Sequence, residues 1–446
     1  MSIKIILNEK IPVHKDVSKF RLRNAFYEAS FIGGPEYKNA KDAFGAEVFI
    51  PHEQESETNV SRRKRLATYR NYCRPVVEKF NNLIFTSPIQ RDQDNPTFGE
   101  WSKNIDMNFT NLHDFMRNCV MQSQKYGAYY IIIDSTKGPE MLTVDQSKAA
   151  GNKLYLIATH PDTIVNWDET NGMLTEIIIS FKNNEYIYYS QDFIQRFYGN
   201  DDNYVVGIEP PIDNVIGMLP VVKLCARTDD LSQIRDVSEL NKIVFNLDSL
   251  LIEELFKNTF SQVYITGINP DDLSDVNVSG RKVITIKRPD AKILPVSADA
   301  SQAASIRESI HIYEKEIYRA AGLQQPDVVQ NTESGRALKL RMNEVQQIAA
   351  DIADNAEKTE NYIVDYWSKS MSMEVAHCDY PEDFQTEDME VELKMTLDML
   401  GSSLPRLLKN KQTLALAKQL FPKMGADEMG EIVDELENPR TIPGQI

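Results

Sequence analysis

The chain has 446 residues and a mass of 51.0 kDa, with 42% hydrophobic and 26% charged residues. That length predicts roughly three structural units, and the apolar content excludes disorder as the dominant state. Forty-nine basic against sixty-six acidic residues give a formal net charge of −17. This argues against tight gripping of nucleic acid, because affinity for phosphates comes from Lys and Arg.

No apolar run approaches the ~18–20 residues of a membrane span, and the start of the chain does not read as a secretory signal. Cys73, Cys119, Cys225 and Cys378 show no CxxC spacing. They read as reduced, mostly buried thiols of a cytosolic protein.

In chain order, residues 1–58 are mixed in pattern, with a turn at Gly33-Gly34-Pro35. A basic cluster, Arg62, Arg63, Lys64 and Arg65, is expected to open an amphipathic helix over 66–84 that Pro75 kinks. This cluster reads either as a solvated helix start or as a contact to DNA or scaffold; four cations at a helix start oppose the macrodipole, so a counter-charged partner is a further reading, most simply a neighbouring subunit's acidic surface. Residues 112–126 read as a helix that Gly127 stops, and 128–134 as a buried strand. From 154 to 198 the pattern is β, with Asn171-Gly172 and Asn183-Asn184 as hairpin turns.

The remainder is largely helical. Residues 236–260 carry Leu240, Val244, Leu247 and Leu251 at helical spacing. A β-like insert follows, with strands expected at 263–266 and 282–287. A second helix, 301–321, shows Ile306, Ile310, Tyr313 and Ile317, a seven-residue repeat suited to packing along another helix. After a polar loop at 323–333, a long helix is expected from Ser334 to about Ser370. Residues 391–397 read as a strand, and 404–421 and 427–437 as short helices.

Catalytic signatures are missing from the sequence. There is no GxxxxGK[ST], GxGxxG, GxSxG or HExxH. His377-Cys378-Asp379 and His160-Pro161-Asp162 read as loops rather than ligand sets. The acidic pairs Asp229/Asp230, Glu253/Glu254 and Asp271/Asp272 read as hydrated faces, although such pairs can hold Mg²⁺. No catalytic residue, metal or cofactor is assigned.

The order of elements is more telling than any motif. Tyr69-Arg70-Asn71-Tyr72-Cys73-Arg74-Pro75-Val76-Val77 continues to Asn82-Leu83-Ile84-Phe85-Thr86-Ser87-Pro88. Ile216-Gly217-Met218-Leu219-Pro220-Val221-Val222 precedes the first long helix, and Ser334-Gly335-Arg336-Ala337-Leu338-Lys339 opens the last. This ordered combination, over residues 60–370, resembles the portal proteins of tailed bacteriophages. The resemblance implies an α+β, portal-like fold, mainly helical. Residues 1–235 would form a mixed wing, 236–260 and 301–322 a two-helix stem, and 261–300 a small β-containing clip. Residues 323–333 would form a tunnel loop, 334–385 a long wing helix and its return, and 386–446 a strand and helical crown.

The resemblance further implies a ring of about twelve copies at one capsid vertex. Viral double-stranded DNA would pass through it during packaging and ejection, without an enzymatic step in this chain. The implied partners are further copies of the chain, the terminase large subunit, head-completion and adaptor proteins, and the major capsid and scaffold proteins. No membrane is involved; the location is the virion, and the host cytoplasm during assembly. Residues expected to face the channel are Gln324, Gln325, Asp327, Gln330 and Asn331 in the loop, with Lys315, Arg319, Arg336 and Lys339 beside it. The loop's uncharged amides suit weak contact with a moving phosphate groove. Arg281, Lys282, Lys287, Arg288 and Lys292 are expected to form a docking surface on the clip. Two other readings stay open: a metal-dependent nucleic-acid-processing enzyme, and another minor virion structural protein.

Overall fold

A computed structural model of the chain describes residues 3–92, 95–136, 153–259, 262–266, 292–296, 300–323 and 335–381, with 384, 405, 408–411, 413–414 and 433. Two compact units emerge. One comprises Met1–Phe85 and Ile89–Glu382, the other Thr86–Pro88 and Asp383–Ile446. In the second unit the described residues 408–411 and 413–414 are helical. Of the elements expected there, 391–397 and all of 427–437 but residue 433 lie outside the described residues, as do 404, 406–407, 412 and 415–421 of the expected helix 404–421.

The larger unit opens with α1 (Val17–Ile32), α2 (Glu57–Leu66), α3 (Cys73–Thr86), α4 (Pro96–Trp101) and α5 (Leu112–Tyr126). The basic cluster differs from the sequence reading. It closes α2 instead of opening a helix, so its cations lie at the end where the dipole favours them. Non-helical residues 67–72 then separate α2 from α3. Pro75 does not kink a continuous helix; it lies in the first turn of α3, where its missing N–H has no partner to lose. Ser56 caps α2 by accepting from Asn59 N–H, and Asn111 caps α5 by accepting from Asp114 N–H at 2.8 Å.

Two sheets follow. β1 (Ala128–Ser135) is the middle strand of three, between β2 (Leu154–Thr159) and β9 (Val221–Cys225). The second sheet runs β3 (Ile164–Thr170), β4 (Met173–Ser180), β5 (Glu185–Tyr189), β6 (Phe193–Gly199) and β7 (Val205–Ile208), with β8 (Ile212–Asp213) also on β6. The Asn171-Gly172 and Asn183-Asn184 turns have positive φ at both residues, as tight hairpins demand. Ile177, Ile178 and Ile179 are all buried although neighbours point to opposite faces. Ile177 and Ile179 pack with Tyr130, Ile132 and Val221 of the smaller sheet. Ile178 packs with Ile11, Phe197 and Val205 on the other side.

Gly127 joins α5 to β1 at φ +97°, and a Cβ there would meet the carbonyl oxygen of Asp230 at 2.4 Å. Only glycine fits both demands. Past the sheets come α6 (Arg235–Thr259), β10 (Gln262–Thr266), β11 (Lys292–Val296), α7 (Ala300–Ala320) and α8 (Gly335–Met371). β10 pairs with β11, strand against strand from Gln262 opposite Val296 to Thr266 opposite Lys292. The other expected strand, 282–287, lies outside the described residues.

Candidate functional site

The feature with most functional content is the hairpin of α6 and α7. At 1.5 Å per residue the helices are about 37 and 31 Å long. The antiparallel β10–β11 pair closes one end, so the helices must also run antiparallel. Ala303, Ile310 and Ile317 are buried at successive seven-residue intervals on α7, with Ala321 just past its end. On α6, Val237, Val244 and Phe245 are buried. Thus the heptad pattern marks the seam, but Ala303 extends it while Ile306 and Tyr313 stay half-buried. The hairpin also carries exposed apolar side chains, Leu250 on α6 and Ile312 on α7, while Arg62 lies over the Phe256 ring at 5.7 Å.

The helices are tied to the N-terminal segment by charge. Arg70, between α2 and α3, donates Nε and Nη2 to the two oxygens of Asp248 on α6, both at 2.8 Å. Its Nη1 reaches Glu314 Oε1 on α7 at 3.0 Å. The Tyr72 hydroxyl donates to the same Glu314 oxygen at 2.6 Å. One arginine thus clamps both helices, in the bidentate geometry guanidinium favours. Burial raises the Asp248 carboxyl above its ordinary range despite Arg70, which pulls the other way. Burial, and then donation to Glu314, raises the Tyr72 hydroxyl.

A second anchor meets α6 at the next residue, Ser249. Arg63 of α2 is only 2% exposed. Its Nε and Nη2 bind the two Glu55 oxygens at 3.0 and 2.8 Å, Nη2 also donates to the Ile50 carbonyl at 2.9 Å, and Nη1 donates to Ser249 Oγ on α6 at 2.7 Å. The guanidinium lies 4.4 Å from the centre of the Phe49 ring. Hydrogen bonds from Arg63 hold the Glu55 carboxyl below its ordinary value, against a smaller opposing effect of burial. Arg62 reaches Glu253 on α6 at 3.2 Å, and Lys64 reaches Glu47 at 3.4 Å. Arg62, Arg63 and Lys64 therefore find acidic partners within the chain, in place of the solvated start, DNA or scaffold contact, or neighbouring subunit that the sequence left open. Sequence reading missed this because Glu47, Glu55 and Glu253 are scattered along the chain.

α8 is fixed by a third pair. Glu360 is fully buried and accepts from Arg91 Nε at 2.5 Å and Nη2 at 2.9 Å, and from the Tyr380 hydroxyl at 2.7 Å. The backbones of Gln90 and Asp379 bridge beside it. Tyr362 on α8 donates to the Leu219 carbonyl just before β9 at 3.0 Å, which sets the helix on the smaller sheet.

The residues expected to line a channel are only partly described. Lys315 and Arg319 are exposed near the end of α7, and Arg319 pairs with Glu316 at 3.0 Å. Arg336 and Lys339 lie in the first turns of α8. Gln324, Gln325, Asp327, Gln330 and Asn331 lie outside the described residues, as do Arg281, Lys282, Lys287 and Arg288. Lys292 opens β11.

Of the acidic pairs weighed as metal ligands, Asp271 and Asp272 lie outside the described residues, and members of the other two are engaged otherwise. Asp229 binds Arg227 at 2.8 Å, Asp230 binds Lys223, and Glu253 binds Arg62. No cluster of three or more His, Cys, Asp or Glu suited to a metal occurs among the described residues. His377 pairs with Asp365 at 2.9 Å while Cys378 turns into the core, so the triplet does not converge. His160 faces the Tyr126 hydroxyl at 2.8 Å, and Asp162 accepts from Asn24 at 2.7 Å. Burial raises all four thiols, leaving them poor nucleophiles. Among the described residues, no helix is long and apolar enough to cross a membrane.

No family model matches the chain, and no curated protein matches it. Among solved structures, it is similar to a chain of the neck of a native gene transfer agent particle computed with C12 symmetry. The TM-score is 0.43 and identity 10%, covering 92% of this chain and 95% of that one. A chain from the virion of the native particle gives 0.42 and 10%, over 91% and 96%. One from the neck of the empty particle, computed with C6 symmetry, gives 0.43 and 11%, over 92% and 96%. Likeness of this degree carries no argument about fold or role.

Proposed function

We propose that this chain is the subunit of a portal ring, a non-enzymatic conduit at one capsid vertex. The supporting observation is the α6–α7 hairpin. Two rods of similar length, a strand-paired tip and a charged clamp at Arg70 form a rigid arm, and Leu250 and Ile312 are exposed along it. An isolated chain gains nothing by exposing Leu250 and Ile312, whereas adjacent copies would bury them. Around an axis, repeated arms leave a hole through which duplex DNA passes.

Charge supports a sliding role. Each phosphate neutralised would add affinity and hence drag. About twelve copies at −17 would carry on the order of −200 charges, a field that resists sticking. In this reading residues 324–331 touch the DNA, with Lys315, Arg319, Arg336 and Lys339 beside them. Arg281, Lys282, Lys287, Arg288 and Lys292 would dock the terminase large subunit first and head-completion proteins later.

Native mass measurement of the purified full chain tests the proposal. A closed oligomer of many copies is expected; a species of one or two copies at all concentrations would reject it.

A further inference from the structure

The loop between α4 and α5 holds an aromatic side chain out in solvent by force of its backbone. Phe109 is 89% exposed and Met107 52%. Both have left-handed backbone, with φ of +66° and +62°, which bulky residues rarely adopt. The loop is nevertheless closely tied. Asp106 Oδ1 accepts from Asn108 N–H at 2.8 Å and Thr110 N–H at 3.1 Å, and Asn104 Oδ1 accepts from Phe109 N–H at 2.9 Å. Ile105, fully buried, anchors it and pairs with Leu156. Strain of this kind persists only where the surroundings over-determine it, and here it presents a rigid apolar knob.

The opposite end of α5 carries a fitting receptor. α5 is 15 residues, about 22 Å, long. At its C-terminal end Tyr126 joins His14, Phe20, Tyr27, Tyr130 and Trp167 around a cavity of ≈ 280 Å³. That is room for one aromatic side chain, near the lower limit of ligand pockets. The His14 ring stacks on Trp167 at 3.9 Å and the Phe20 ring on Trp167 at 5.3 Å, so the wall offers flat π faces.

Charges of both signs line the cavity. Lys223 is held by Glu169 and Asp230, and Asp16 pairs with Lys19, whereas Arg21 and Arg23 have no carboxylate partner among the described residues; Arg21 donates to the Asp162 carbonyl, and Arg23 lies over Phe20 at 4.4 Å. The knob carries Asp106 and is followed by Asp114 in the first turn of α5.

We infer that Phe109 of one copy inserts into the His14–Phe20–Trp167 cavity of the next copy. This rests on the ring reading: rings of more than two copies need head-to-tail contacts between two different patches, and a knob and a socket at opposite ends of one helix supply them. The contact lies apart from the α6–α7 arm.

The test is a cross-link in the full chain. Phe109→Cys combined with Phe20→Cys should give, on mild oxidation, a ladder of covalent multimers, because every copy carries one thiol of each kind. The two positions lie at opposite ends of α5, so the pair cannot close within one chain. Each single variant should stop at dimers or below. Phe109→Asn, which tolerates left-handed backbone, should raise the concentration needed for assembly tenfold or more while leaving the thermal midpoint of the dissociated chain unchanged. Rings that form without a ladder, or Phe109→Asn rings that assemble like the parent, would overturn this contact and leave the ring standing. A parent chain that is never a ring would overturn both.

Discussion

Replacing Arg63 by Met should lower unfolding stability by about 3–4 kcal/mol. The side chain is only 2% exposed and connects three elements, through Glu55, the Ile50 carbonyl and Ser249 of α6. Removing one partner of a buried pair costs roughly 3–5 kcal/mol, since the other charge is left uncompensated. Glu55 retains 14% exposure and partly rehydrates, which favours the lower end. Ser249 keeps its bond to the Asn246 carbonyl at 2.6 Å, so its hydroxyl is not orphaned. Lys at this position should rescue little, because an ammonium cannot form the two-pronged contact. Glu55→Gln should cost less, and Arg63→Met with Glu55→Leu together less than the two single losses added, since no unpaired charge remains. The pH dependence carries its own sign. Glu55 is held below its ordinary value in the folded chain. Its contribution is therefore complete above the unfolded carboxylate value of about 4.3 and fades as pH falls through the lower folded value. Urea unfolding at pH 7 and at several acidic pH values measures both effects. An Arg63→Met change within about 1 kcal/mol of the parent, or an unaltered acid limb, would refute the reasoning.

Three further outcomes are expected. Arg91→Met should destabilise by about 3–5 kcal/mol by stranding Glu360, while adding Glu360→Met and Tyr380→Phe should restore much of the loss in thermal unfolding. Gly127→Ala should cost more than the ordinary ~1 kcal/mol of a helix-end change, because strain and the clash with the Asp230 carbonyl act together; a chain with an unchanged midpoint would contradict that. Deleting residues 324–331 should leave rings intact but impair DNA packaging or retention in particles, and loss of assembly with no separate DNA defect would count against a channel role for that loop.

Periodicity made much of the helical architecture legible. The seven-residue repeat of α7 anticipated the buried Ile310 and Ile317, and apolar spacing anticipated α8 from Gly335 to Met371. Asparagine-rich turns marked two hairpins, where two successive positive φ angles leave few alternatives. α1 stayed hidden because Asn24 and Ser30 lie on its buried side and blur the apolar stripe. The break between α2 and α3 was hidden by apolar spacing that runs straight through the non-helical residues 67–72. The anchoring charges were beyond sequence reading altogether. Arg70 finds Glu314 across 244 positions, and Arg91 finds Glu360 across 269. Only the tertiary fold brings them together. Nothing in the neighbours of Phe109 foretold a left-handed, solvent-facing ring.

Class averages of the purified full-length chain in negative stain bear most directly on the central claim. They should show rings with an open axial hole and the α6–α7 arms arranged around it. Single globules or compact pairs, with those arms facing solvent and no central opening, would contradict it.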